Sequence, residues 1–310
     1  MATTFLRIIP ILVITFVAAA PLRAEPLSYH TIAVDGVRVF YREAGPKDAP
    51  TLLLLHGFPT SSRMYQGLMP LLADHYHLVA PDYPGFGLSD APPPDKFAYT
   101  FDHITQVMDD FTQALGLKRY SLYLCDYGGD VGLKLAIRHP DRVQALIVQN
   151  ANISDVGESP LWVVRRAYWQ DRAAHEDELR KNLSSLEADR GRHVGSSSHP
   201  ERFDPDSWND EYAFLSRPGE EQIQLDLFYD YRTNQAAFPA WNAWLKAHRP
   251  PTLVLWGRHD TSFTVQGALA YGDDLPEAEI HLLDAGHFAL DEATPEIARL
   301  TRAFLDTNVD

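Results

Sequence analysis

Three side chains in this sequence have the types and order needed for nucleophilic chemistry, and each ends an apolar, strand-like run. Asp126 lies in YLCDYGGDVG (Tyr123 to Gly132), Asp260 ends LWGRHD, and His287 lies in LLDAGHFALDE. The first stretch passes from the β-like KRYSLYL directly into the helical GGDVGLKLAIRH. A turn that tight needs small residues around its apex, because the strand and helix backbones nearly touch. Gly128 and Gly129 supply them downstream of Asp126, and Leu124 stands upstream where glycine is preferred. Cys125 is flanked two residues away by Tyr123 and Tyr127, both bulky, so the apex is Asp126. A carboxylate at that point is already anionic at neutral pH and needs no base to activate it. No G-x-S-x-G occurs in the chain, which leaves serine acyl transfer without a nucleophile.

These residues require a scaffold of strand ends. TLLLLH (Thr51 to His56), YHLVAPD, SLYLCD, VQALIVQN, PTLVLWG and AEIHLLD form a series of apolar runs. Runs apolar throughout belong to strands buried on both faces. Helix-like segments alternate with them, which predicts a mostly parallel sheet with helices on both sides. HTIAV and VRVFYRE flank Asp35-Gly36, a hairpin turn signal. The alternation breaks from Ser154 to Trp241, a charged and aromatic block with helical stretches such as LWVVRRAYWQDRAAHEDELRKNL. Two more strands follow, so the block reads as a helical lid inserted between the sixth and seventh strands. The expected layout is a core of residues 25–153 and 242–310 with a lid of 154–241.

The N-terminal MATTFLRIIPILVITFVAAAPLRAEP places Arg7 before an apolar run from Ile8 to Ala20, with small residues up to Ala24. That run is short for a bilayer span and has the pattern of a signal peptide, residues 1–24. A periplasmic or secreted protein is the corresponding expectation. Cys125 is the only cysteine, so no intramolecular disulfide can form. The 310 residues carry a net charge of −15. A surface that acidic disfavours nucleic acid and anionic membranes.

LLLHGFPTSS, VAPDYPGFGLSD, CDYGG, LWGRHD and DAGHFAL together resemble the α/β-hydrolase group of epoxide hydrolases and haloalkane dehalogenases, over about Leu27 to Leu305. The resemblance implies an eight-stranded α/β-hydrolase fold in which nucleophile, acid and histidine follow in chain order. It implies that Asp126 attacks a saturated carbon to form an alkyl-enzyme ester. His287, oriented by Asp260, then activates water to hydrolyse that ester. The backbone N–H groups of Phe58 and Tyr127 would form the oxyanion hole. No cofactor and no metal are expected.

The leaving group is approached by the same comparison. Haloalkane dehalogenases commonly place tryptophan after the nucleophile and often asparagine after HG. Here Tyr127 and Phe58 stand there. Fluoroacetate-type relatives place arginine after the nucleophile. Epoxide hydrolases use lid tyrosines on the leaving oxygen, and FYDYRTNQAAFPAW offers Tyr231 for one. Tyr168, in RRAYWQDRAAHEDEL, is the candidate for the other, with Arg165 as the alternative occupant of that position. Trp162, Trp169, Phe214, Phe228, Phe238 and Trp241 are expected to line an apolar pocket for a small hydrophobic substrate. Two other readings stay open: a dehalogenase with an unconventional halide site, and a ligand-binding protein on a retained hydrolase scaffold. Oligomeric state is not legible.

Overall fold

A computed structural model describes residues 26–309 except 182, 184, 196 and 198. The expected signal segment lies outside the described residues. Eight strands form one sheet: β1 (Ser28–Val34), β2 (Val37–Ala44), β3 (Thr51–Leu55), β4 (His77–Pro81), β5 (Tyr120–Cys125), β6 (Val143–Gln149), β7 (Thr252–Gly257) and β8 (Glu279–Leu283). Their order is β1-β2-β4-β3-β5-β6-β7-β8. β1 pairs with β2, and β2 with β4, antiparallel; the remaining pairs are parallel. The β1–β2 connection is the Asp35-Gly36 turn, with both residues at positive φ.

The continuous apolar runs are explained by burial on both faces. Leu53, Leu55, Leu122 and Leu124 point into one core layer, and Leu52, Leu54 and Tyr123 into the other. Alternation along each strand thus feeds two hydrophobic layers at once. Helices α2 (Phe101–Ala114), α3 (Tyr127–Arg138) and α10 (Val265–Asp274) cover the first layer. The short α1 (Met69–Leu72) and the long α11 (Ala289–Asn308) cover the second.

Among the described residues, six α-helices stand between β6 and β7: α4 (Trp162–Gln170), α5 (Arg172–Lys181), α6 (Leu186–Val194), α7 (Pro205–Leu215), α8 (Glu220–Asp230) and α9 (Arg232–His248). The expected lid boundary at residue 241 falls inside α9. That helix continues because Trp241, Trp244 and Leu245 keep a buried face at helical spacing. It stops at Arg249, which takes the left-handed conformation just before Pro250-Pro251.

Polar contacts pin the lid to the core. His193 on α6 lies 2.8 Å from Glu211 on α7 and 2.6 Å from Asp291 on α11. Its ring stacks on Phe288 at 4.2 Å. Burial pushes this imidazole down, but the two carboxylates outweigh burial and raise it to about 10. On the opposite side the Phe101 N–H donates to Asp230, and Arg217 donates to the Gly87 carbonyl.

Candidate active site

Asp126 sits between β5 and α3 at φ 50° and ψ −119°, a conformation few non-glycine residues adopt. The glycines around it show what holds it there. A Cβ at Gly128 would overlap the Leu55 carbonyl, and one at Gly57 would overlap the Asp126 side chain. Leu124, bulky where a glycine is preferred, is accommodated one turn into α3. Its Cδ2 occupies the space that a Cβ at Gly132 would fill.

The two oxygens of Asp126 have separate partners. Oδ1 accepts from the Phe58 N–H at 2.8 Å. Oδ2 lies 3.6 Å from His287 Nε2. Asp82, in VAPDYPGFGLSD, ties the loop that carries Phe58 to the loop after β4. One carboxylate oxygen accepts from Ser62 N at 2.7 Å and the other from Leu88 N at 2.8 Å, joining the loops after β3 and β4. Tyr127 opens α3, so its N–H has no partner within the helix.

His287 follows β8, and its Nδ1 lies 2.7 Å from Asp260 Oδ2. Burial lowers the imidazole pKa, but the charge and hydrogen bond of Asp260, with the charge of Asp126, leave it raised above its ordinary value. Every other acceptor position on Asp260 is filled. Oδ1 takes the Ser262 and Phe263 N–H groups at 2.7 and 3.0 Å, and Oδ2 takes the Asn150 amide at 2.7 Å. Asn150 in turn accepts from Gly257 N at 2.9 Å. Its φ of 44° is an αL conformation that asparagine tolerates better than most residues. Asn150 therefore aims the acid, a role the sequence reading did not assign. His259, the neighbour of Asp260, is exposed and pairs with Asp284 at 2.8 Å.

Tyr231, at the α8–α9 junction, is brought to the site. Its ring stacks on Trp169 (6.2 Å, 12°) and lies 5.1 Å from Trp162, 5.6 Å from Phe101 and 5.9 Å from Tyr127. Its hydroxyl makes no hydrogen bond among the described residues. Burial, then the charges of Asp130 and Asp126, push the phenol well above its ordinary pKa. Asp130, one turn along α3, is buried with Oδ1 unpartnered, and burial raises its carboxyl strongly.

Tyr168 is not brought there. Its hydroxyl donates to the Leu225 carbonyl at 3.2 Å, and its ring packs against Tyr229 at 5.7 Å. The helical period explains the difference. Trp162, Arg165 and Trp169 share a face of α4 at i, i+3 and i+7, and Tyr168 is rotated away from it. Arg165 occupies the inward position instead, 4.4 Å over the Trp162 ring and 4.9 Å over the Phe228 ring.

The aromatic lining also differs from expectation. Trp162, Trp169 and Phe228 surround the site, joined by Phe58, Tyr127 and Phe263. Phe238 and Trp241 pack on each other, with Lys134 over Trp241. Phe214 faces a separate cavity of about 340 Å³ beside Arg63, His193 and Glu211. A second cavity of about 280 Å³ reaches His287 past Arg192, Ser197 and Glu292. Neither touches Asp126, which lies under the aromatic rings. Among the described residues no group of three or more His, Cys, Asp or Glu could hold a metal ion.

A strained strand–helix apex with a histidine and acid on later strand ends defines an α/β-hydrolase, and the profile of the alpha/beta hydrolase fold family matches residues 50–294. The chain belongs to this family and is a hydrolase. It is 37% identical over 276 residues to the uncharacterised hydrolase YNR064C of Saccharomyces cerevisiae, covering 87% of this chain and 94% of that protein. Over 139 residues it is 36% identical to a haloalkane dehalogenase of Psychrobacter cryohalolentis, covering 42% of this chain and 46% of the dehalogenase. The fold is shared with the crystal structure of Cfl2 from Burkholderia cenocepacia: TM-score 0.73, 24% identity, 89% of this chain and 95% of that one.

Proposed function

We propose that the protein opens epoxides to vicinal diols through a covalent ester on Asp126. The observation that carries this reading is Tyr231. A buried phenol with no hydrogen-bond partner among the described residues shares an aromatic enclosure with the Asp126 carboxylate. Asp126 attacks the less hindered ring carbon, and the ring C–O bond breaks. The Tyr231 hydroxyl protonates the leaving oxygen, because an alkoxide is far more basic than a phenolate. Asp260 then holds the His287 ring with Nε2 toward a water molecule, whose proton Nε2 accepts. The water oxygen adds to the ester carbonyl, and the N–H groups of Phe58 and Tyr127 stabilise the oxyanion. Collapse releases the diol, protonated by His287, and restores Asp126.

Purified protein should convert styrene oxide to its diol while releasing no halide from bromoalkanes. Halide release without diol would replace this reading with dehalogenation, which the partial identity to a haloalkane dehalogenase favours. Turnover of neither would leave ligand binding. We further propose that residues 1–24 direct export and are removed after Ala24. Mature protein should then begin at Glu25 by N-terminal sequencing, and intact Met1 protein confined to the cytoplasm would contradict this.

A further inference from the structure

Among the described residues, Arg165 is unlike the other half-buried arginines of the lid. Arg172 pairs with Glu176 and Asp226, Arg180 with Glu176 and Glu221, Arg192 with Asp189, and Arg217 with Glu220, while Arg232 donates to the Tyr229 carbonyl. No carboxylate among the described residues lies within ion-pair distance of Arg165, and its guanidinium makes no hydrogen bond with them. Yet the side chain is half-buried and packed against two aromatic rings. A guanidinium carries five N–H donors in a rigid plane. With Trp162 and Phe228 against its face, only the donor edge is left for a partner. A half-buried cation gives up part of its hydration, so the arrangement suits an anion that arrives with the ligand or forms in the reaction.

The surroundings locate that anion. Phe228 lies edge-on to Phe58 at 5.0 Å, and the Phe58 N–H is bonded to Asp126. Trp162 touches Tyr231 at 5.1 Å and Phe263 at 5.6 Å, and Phe263 touches His287 at 5.4 Å. Arg165 is therefore one ring away from the candidate acid Tyr231, and two away from the candidate nucleophile and base. Its field is felt at the acid and the base. At Tyr231, where burial, Asp130 and Asp126 push the phenol up, Arg165 is the group that opposes them. It also acts on Tyr127 and His287. Arg192 lies 5.1 Å over the Phe58 ring, and its charge is already met by Asp189.

We propose that Arg165 is a catalytic residue that donates to the leaving oxygen of the epoxide, as the partner of Tyr231. This rests on the epoxide reading above. As the Asp126–carbon bond forms, the electron pair of the breaking C–O bond collects on the ring oxygen. The Arg165 N–H edge stabilises that charge and keeps its own proton. Tyr231 delivers its proton to the oxygen and becomes a phenolate, which Arg165 now stabilises in turn. Water later supplies two protons. One passes through His287 to the released hydroxyl, and the other, left on Asp126, returns to the phenolate through solvent.

The test is single-turnover kinetics of the full chain on styrene oxide, with ester formation and ester hydrolysis timed separately. R165Q should slow ester formation by about 10²-fold, the usual cost of removing one oxyanion donor. Hydrolysis of the ester, once formed, should be unchanged, because the leaving oxygen is then a finished alcohol. R165K keeps the charge without the planar fork and should fall between wild type and R165Q. If R165Q folds poorly, the ratio of the two steps in R165K reads the same donor. Equal slowing of both steps would make Arg165 a lid support and overturn the inference, as would unchanged ester formation. Wild-type protein that forms no diol from epoxides would instead overturn the function itself.

Discussion

The sheet end and the lid meet at one site but are built in opposite ways. On the sheet side the catalytic carboxylates and the histidine are held by hydrogen bonds. Asp126 is fixed by Phe58, His287 by Asp260, and Asp260 by Asn150, Ser262 and Phe263. On the lid side the polar groups are held only by rings. Tyr231 rests on Trp169 and Trp162, and Arg165 on Trp162 and Phe228, with their hydrogen-bonding edges unspent. A preorganised network suits steps that always have the same geometry, such as activating water at an ester. Groups placed by packing alone keep their donors for the substrate. Rate should thus be set from the sheet, and choice of leaving group from the lid.

The contrast can be broken first at Asp260. Asp260→Asn should lower turnover by about 10⁴-fold, as loss of the orienting acid does in comparable triads. It should also move the pH profile. His287 must be neutral to accept a proton from water, and the charge and hydrogen bond of Asp260 raise its pKa, so the acid limb of ester hydrolysis in the wild type lies above that of an ordinary histidine. Removing the Asp260 charge should shift that limb to lower pH. An unmoved limb would mean that another group titrates.

Tyr231→Phe tests the lid side next. The ring and its stacking remain, and the hydroxyl is lost. Ester formation from an epoxide should slow by roughly 10²–10⁴-fold, the usual worth of general acid catalysis. Ester hydrolysis should hardly change. Equal slowing of ester formation and ester hydrolysis would remove the distinction between acid and packing.

The smallest effect concerns the apex itself. Gly132→Ala should destabilise the fold by about 1–3 kcal/mol, the usual cost of overpacking, because the new Cβ meets Leu124 Cδ2. In a Leu124→Ala background the same change should cost much less, as a double-mutant cycle by urea denaturation would show. Additive costs would mean that Leu124 and Gly132 do not share that space.

The sheet side was also the legible side. Strands buried on both faces announce themselves as unbroken apolar runs, and their ends locate Asp126, Asp260 and His287. Gly128 and Gly129 could be read as apex residues because their requirement is local. Gly132 could not, because its need arises from Leu124, across the turn and eight positions earlier. Asn150 carried a signal, an asparagine at a strand end, but its partners lie more than a hundred residues away. In the lid, aromatics at every phase of a helix do not reveal which face turns inward. Tyr168 and Arg165 differ by three positions, and only the packing of α4 on α8 separates them. The expected lid boundary at residue 241 falls inside α9, whose tryptophans continue without a break in pattern.

The central claim is that Asp126 becomes esterified and His287 frees it. Intact-protein mass spectrometry of His287→Gln after exposure to styrene oxide tests it directly. A mass increase of one substrate should build up to one per chain and map to the peptide containing Asp126. It should be absent from Asp126→Asn. An adduct on another residue, or normal turnover by His287→Gln, would contradict the account.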